Sequence, residues 1–359
     1  MGKRLQRLLI LLAAMAMLVA ACDSDDGGST TAGDAAADSS TTVAVDTSSA
    51  LQAPDGLESG LGSRATNRKV VFIADNPPSD SFWGTIQRGA QDAATLFGID
   101  LDFQFTDGAD IAAYNDLIGT AIATNPAGLA VVVRDPAALT DNICAADASG
   151  IKVVSYNITQ GGDVGACMSG FIGQDFVAAG ELVGDIMVAE AGITSGDLVL
   201  LPVEQPEASY ATQRAEGVTT ALDKVGAEYA IIQAGATGDA EALENMTQWL
   251  IGHPEVKAII PMGGTPHRNA VQAISDAGLN IADIAVGGFD ISQPVTDGIK
   301  AGDIFAAVTQ EPYIQGFQAV AELALYIDFG IEPFSINTGA GVVDSSNVDL
   351  VAELAGSVR

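Results

Sequence analysis

Val70-Val71-Phe72-Ile73, then a helical stretch from about Asp80 to Phe97 that stops at Gly98, is the unit whose recurrence decides the fold. The tetrapeptide is apolar throughout and does not alternate. That pattern suits a parallel strand covered on both faces. In the stretch that follows, Ile86, Ala90, Ala93, Ala94 and Phe97 fall on one helical face. Asp80 and Ser81 suit its N-cap and Gly98 its stop. Leu129 to Val133 and Val153-Val154 are further apolar runs, each followed by a helical pattern.

The unit returns further along the chain at one constant offset. Gly89 matches Gly217, Gly98 matches Gly226, Asn125-Pro126 matches His253-Pro254, and Gly150 matches Gly278. Apolar positions track between these markers: Val71 with Val199, Ile73 with Leu201, Val131 with Ile259, Ile151 with Leu279. Periodic secondary structure alone would not hold such a register. The expected fold is α/β, with two similar Rossmann-like lobes, each a parallel sheet with helices on both faces, joined by a multi-strand hinge. Ligands of open parallel sheets bind outside the carboxyl ends of the strands, so two facing lobes enclose a ligand cleft.

The N-terminus reads as an export signal. Lys3, Arg4 and Arg7 precede an apolar run from Leu8 to Ala21, too short for a stable membrane span. It ends in Val19-Ala20-Ala21-Cys22, which resembles a lipobox whose cysteine is acylated. Residues 1–21 are therefore expected to be a signal peptide. Residues 22–67, rich in Asp, Ser, Thr, Ala and Gly, are expected to be a lipidated flexible acidic stalk. Asp23, Asp25 and Asp26 only faintly match a calcium loop, and a solvated acidic tail explains them better. No metal or cofactor is expected.

The chain has 15 basic and 46 acidic residues, a formal net charge of −31. Losing Lys3, Arg4 and Arg7 with the leader leaves 12 basic residues against the same 46 acids. That surface repels nucleic acid and disfavours a highly anionic ligand. Once Cys22 is set aside, Cys144 and Cys167 remain as an even pair. In an oxidising compartment they are expected to bond, the other reading being two buried thiols. Catalytic signatures are missing: no Gly-x-Ser-x-Gly, Walker loop, His-x-x-x-His or Cys-x-x-Cys occurs. Of the two histidines, His253 is expected to cap a helix and His267 to sit at a solvated helix start.

Several stretches, in order, resemble the type I periplasmic binding proteins of the ribose and galactose kind. They are Ser81-Phe82-Trp83-Gly84 through Gln91, Ile151 through Asn157, Ile172-Gly173-Gln174-Asp175, Gln213-Arg214-Ala215-Glu216-Gly217, Gly287-Gly288-Phe289-Asp290 and Thr309-Gln310-Glu311-Pro312 through Gly316. The resemblance covers about 68 to 345. It implies a non-enzymatic, monomeric receptor that captures a small neutral sugar or polyol by lobe closure and delivers it to the permease of an ABC importer. The alternatives are a sugar sensor for a membrane signalling protein, or an extracytoplasmic sugar-processing enzyme. The expected place is the outer face of the cytoplasmic membrane, with the lipid on Cys22 as anchor.

The resemblance also implies the site: Asn76, Asp80, Phe82, Trp83, Asn157, Arg214, Asp290 and Gln310. The aromatic pair would face the apolar side of a sugar and the others its hydroxyl rim. Asp80 either accepts from ligand or caps its helix. Arg214 either forks across ligand oxygens or pairs with Glu207 or Glu216. Arg134 either reaches the cleft or pairs with Asp135. Thr237 and Gly263 stand where the family carries Phe and Asn, so that wall is altered. The lobes implied are 68–174 with 311–338, and 175–310 with 339–359.

Overall fold

The computed structural model describes residues 64–357, apart from 109, 159–162 and 340. The leader, Cys22 and the stalk up to residue 63, including the acidic stretch compared with a calcium loop, lie outside the described residues. The described chain forms two six-stranded sheets flanked by helices.

The first sheet is built from β1 (Lys69–Ala74), β2 (Asp100–Phe105), β3 (Gly128–Val131), β4 (Lys152–Asn157), β5 (Phe171–Gly173) and β11 (Ile336–Asn337). Its order is β11-β5-β4-β3-β1-β2, all parallel. Helices α1 (Ser81–Phe97), α2 (Ile111–Ala123), α3 (Pro136–Ala148) and the short α4 (Asp163–Ala166) connect its strands. After β5 the chain runs through α5 (Phe176–Ala191) into the second sheet. That sheet holds β6 (Leu198–Val203), β7 (Glu228–Gln233), β8 (Ala258–Ile259), β9 (Ala285–Phe289), β10 (Ala306–Val308) and β12 (Val342–Asp344). Its order is β12-β10-β9-β8-β6-β7, parallel except for the β10–β12 pair. The connecting helices are α6 (Ser209–Val225), α7 (Asp239–Gly252), α8 (Gly264–Asp276) and α9 (Gln293–Ala301). The chain returns through α10 (Pro312–Phe329) to β11, then crosses once more to β12 and α11 (Val348–Val351). Three crossings therefore join the lobes, near Gln174, near Gln310 and between β11 and β12.

The internal repeat is visible element by element. Helices α1 and α6, strands β2 and β7, helices α2 and α7, and helices α3 and α8 each begin at the same offset that separates Gly89 from Gly217. Gly98 and Gly226 end their helices in the left-handed conformation, φ 65° and 73°. The register persists through Ile151 and Leu279, which donate to Ala146 and Ile274 in the same way. It then slips. The offset from Lys152 would start β9 at Asn280, but a short 3-10 turn over Ile281–Asp283 intervenes and β9 starts at Ala285.

The apolar reading of the strands holds in the sheet centres, where Val70 to Ala74 are wholly buried. It fails at the edges. β2 and β7 each have one neighbouring strand, carry polar residues among their apolar ones, and leave Phe105, Tyr229 and Ile231 exposed.

Each lobe is closed by one close helix pair. A Cβ on Gly89 of α1 would strike the carbonyl of Tyr313 on α10, and one on Gly316 would strike that of Ile86. In the second lobe a Cβ on Gly217 of α6 would strike the carbonyl of Val177 on α5, and one on Gly180 that of Arg214. Cys144 on α3 and Cys167 after α4 are bonded, Cα–Cα 5.0 Å.

Candidate functional site

A cleft of about 990 Å³ lies at the carboxyl ends of both sets of strands. Asn76, Asp80, Phe82, Trp83, Asn157, Arg214, Asp290 and Gln310 all line it. The strand ends bring them there, since each leading strand terminates in a loop that feeds the next helix.

The first lobe offers the aromatic face. Phe82 and Trp83 open α1, their rings edge to face with centroids 5.5 Å apart. Asp80 caps α1, its Oδ1 accepting from the backbone N–H of Phe82 (2.9 Å) and Trp83 (3.3 Å). The capping role is thus filled, and Oδ1 is occupied by it. With its amide turned so that the oxygen faces Trp83, Asn76 accepts the indole N–H of Trp83 (3.3 Å) and donates to the carbonyl of Asp107 (3.3 Å). It therefore fixes the tryptophan from behind.

Arg134 also reaches the cleft lining. The alternative pairing with Asp135 does not hold: Arg134 Nε lies 2.9 Å from Asp75 Oδ1, while Asp135 caps α3 by accepting from Ala138 N–H (3.1 Å). A capping aspartate at a helix start is already engaged by backbone donors, whereas Asp75 ends β1 next door. Burial pushes the Asp75 carboxyl up to about 6, opposed by the Arg134 charge.

The second lobe offers a buried cation. Arg214 is only 1% exposed, so its side chain does not form the alternative surface pair with Glu207 or Glu216. Its Nε and Nη2 donate to Gln174 Oε1 (3.1 and 2.7 Å) and its Nη1 to the carbonyl of Met262 (2.7 Å). The guanidinium lies over the Phe289 ring, 4.1 Å from its centroid. Burial draws its pKa down, against the pull of Asp290, Tyr210 and Glu204. His267 is a correction. Rather than being solvated, it is wholly buried, its Nδ1 2.7 Å from the carbonyl of Phe289. Helix α8 packs its first turn under β9, which encloses the ring. His253 ends α7 as expected, its Nδ1 2.8 Å from the carbonyl of Trp249.

Asn157 and Asp290 end the corresponding strands β4 and β9, and both adopt the left-handed conformation, φ 62° and 68°. Asn and Asp tolerate it better than most non-glycine residues. A buried hydrogen-bond chain links them through the crossing. Asn157 Nδ2 donates to Gln315 Oε1 (3.2 Å), Gln315 Nε2 to the carbonyl of Gln310 (2.9 Å), and Gln310 Nε2 to Asp290 Oδ1 (2.7 Å). Gln315 is fully buried. Sequence reading did not single it out, because an internal glutamine on a helix carries no signal until its neighbours are known.

Glu204 and Asp75 also line the cleft and were missed. The repeat could have found Glu204, which stands in the second unit where Asn76 stands in the first. Thr237 is absent from the lining, and its hydroxyl and backbone N–H donate to Glu241 (2.6 and 2.7 Å). Among the described residues no group of three or more His, Cys, Asp or Glu is placed to hold a metal.

Two lobes of one plan, joined by three crossings, meet at a polar cleft whose lining includes Phe82 and Trp83 from the first lobe and Phe176 and Tyr210 from the second. The chain belongs to the periplasmic binding protein family, whose domain matches residues 70–331. It is 26% identical over 301 residues to the xylose/arabinose-binding protein XylF of Sulfolobus acidocaldarius, covering 78% of this chain and 72% of that one. Among solved structures, a carbohydrate transporter of Acidothermus cellulolyticus 11B in complex with myo-inositol superposes with a TM-score of 0.71. It is 28% identical and covers 81% of this chain and 98% of that one. A periplasmic ribose ABC transporter of Conexibacter woesei is 26% identical with a TM-score of 0.69, covering 81% and 96%.

Proposed function

We propose that this chain is the extracytoplasmic receptor of an ABC importer, capturing a small neutral sugar or polyol by closing its lobes. It is not an enzyme on this reading. The observation that carries it is the composition of the cleft. Phe82 and Trp83 give flat apolar contact, Asn157 of the same lobe and Gln310 at the crossing add polar groups beside it, and Asp290 and Arg214 give oriented polar groups from the second lobe. The relatives support it, being named for xylose, arabinose and ribose or holding myo-inositol. Closure is a hinge motion about the three crossings. The lobes comprise 68–174 with 311–338 and 175–310 with 339–359. The leader 1–21 is removed, and Cys22 carries lipid that holds a monomer to the outer face of the cytoplasmic membrane through the acidic stalk 22–67. Two or three acyl chains hold where one would not.

A thermal-shift screen of sugars, polyols, cyclitols and sugar acids tests the ligand class. A ligand that binds the native state raises Tm by mass action. A rise with a neutral sugar or polyol, accompanied by compaction in small-angle scattering, is the expected result. A rise only with phosphorylated or multiply charged compounds overturns it.

A further inference from the structure

The second lobe holds a carboxylate that the expected site does not include. Glu204 follows β6 and lines the cleft. Two donors from different elements fix it: Tyr210 Oη donates to Oε2 (3.0 Å) and the backbone N–H of Thr265 to Oε1 (2.9 Å). A carboxylate offers about four acceptor positions, so roughly two remain for a ligand. The neighbouring glycine points the same way. Gly263 has φ −157°, extended backbone that any residue adopts, so its conformation does not call for glycine. Space does. A Cβ there would overlap Glu204 Oε2 and crowd the whole carboxylate.

From this geometry we infer that Glu204, whose carboxylate occupies the space that Gly263 leaves, is a ligand-contacting, specificity-determining residue that accepts a hydroxyl hydrogen of the bound sugar from the cleft. The inference rests on the sugar-receptor reading. It adds an acceptor on the second lobe beside Asp290, so that the ligand must present O–H donors to two separate carboxylates of that lobe. A competing role is purely structural. Helix α8 has no side-chain cap at Gly263, and Glu204 accepts from its Thr265 N–H as a cap would.

The two roles separate experimentally. Glu204→Gln keeps an acceptor for Thr265 and keeps the shape, but loses the charge and acceptor capacity of one oxygen. Gly263→Ala displaces the carboxylate without touching the backbone conformation. The probes are D-ribose, D-xylose, D-allose and myo-inositol, titrated calorimetrically into the folded protein, with Tm measured on each ligand-free variant. The expected result is a loss of about tenfold or more in affinity for whichever probe the wild type binds, in both variants. Ligand-free Tm should stay within about 2 °C of wild type in Glu204→Gln. The double variant should bind no worse than the weaker single one, because both remove one interaction. Affinity within twofold of wild type in both single variants overturns the inference and leaves the sugar-receptor reading standing. A large fall in Tm of ligand-free Glu204→Gln also overturns it, in favour of the cap. If the wild type binds none of the four, the probe is the neutral sugar or polyol that raises Tm in the wider screen; if no such compound does, the sugar-receptor reading falls and the inference with it.

Discussion

In the first lobe Asn76 stands in the loop after the leading strand, and Asp80 caps the helix that follows. At the corresponding places of the repeat, the second lobe carries Glu204 and Ala208, and Ala208 makes no side-chain cap. The arginines differ in the same manner. Arg134 lies in the loop three residues beyond the end of β3. Its counterpart is Met262, whose carbonyl instead receives Arg214 from helix α6. A guanidinium thus backs the cleft in both lobes, delivered once from a loop beyond a strand and once from a helix. The backbone frame is shared between the lobes, while the side chains that line the cleft differ. The frame depends on apolar burial and close helix contacts, which tolerate few changes.

The largest expected effect tests whether the two arginines are equivalent. Arg214→Ala is predicted to cost on the order of 3–4 kcal/mol of ligand affinity, since it strips Gln174 and the Met262 carbonyl of buried donors and leaves Asp290 without its nearby positive charge. Arg134→Ala is predicted to cost only about 1 kcal/mol. The partner it leaves, Asp75, already has its carboxyl raised to about 6 with Arg134 present. Without that charge the Asp75 pKa rises further, which lessens the cost of leaving its carboxyl without Arg134. Calorimetric titration with the sugar found in the thermal-shift screen checks both. Equal losses would break the distinction between the lobes.

The shared frame is tested by the helix pairs. Gly89→Ala and Gly217→Ala are each predicted to destabilise the ligand-free protein by about 2 kcal/mol, because the new Cβ meets backbone that cannot rotate away. Differential scanning calorimetry reads the loss. If one variant is tolerated and the other is not, the two pairs are not the equivalent contacts they look like.

Much of this frame was legible in the sequence because glycines and apolar runs are local signals. Gly98 and Gly226 had to end helices, and Gly89 with Gly217 fixed the register of the repeat. The expected cleft residues lay next to such markers, Asp290 directly after Gly287-Gly288-Phe289. What escaped depended on distant neighbours. Arg134 paired with Asp75, far back in the chain, because β1 and β3 are adjacent in the sheet. His267 looked exposed beside Arg268, yet α8 turns it under β9. The slip before β9 had no periodic signature. Gln315 mattered only once Asn157 and Gln310 stood on either side of it.

The smallest effects sharpen the comparison at the helix starts. Asp80→Ala removes a side-chain oxygen that accepts from two backbone N–H groups, and it is predicted to cost about 1 kcal/mol of stability. The reverse experiment belongs in the second lobe. Ala208 sits at the N-cap of α6 with φ −67° and ψ 148°, the extended geometry in which a short acceptor side chain reaches the first turn. Asp80 caps α1 from nearly the same angles, φ −74° and ψ 135°. Ala208→Asp should therefore install the missing cap, and the new charge would favour the helix N-terminus. Repulsion from Glu204 and Glu207 nearby in the cleft lining works against it, so the expected gain is about half a kcal/mol. Ala208→Ser, uncharged, should gain at least as much. Thermal unfolding of the ligand-free variants at low and high salt separates the two contributions. A gain in Ala208→Ser alone would assign the difference to charge in the second lobe's cleft. No gain in either would mean that the two helix starts differ in more than the residue at the cap.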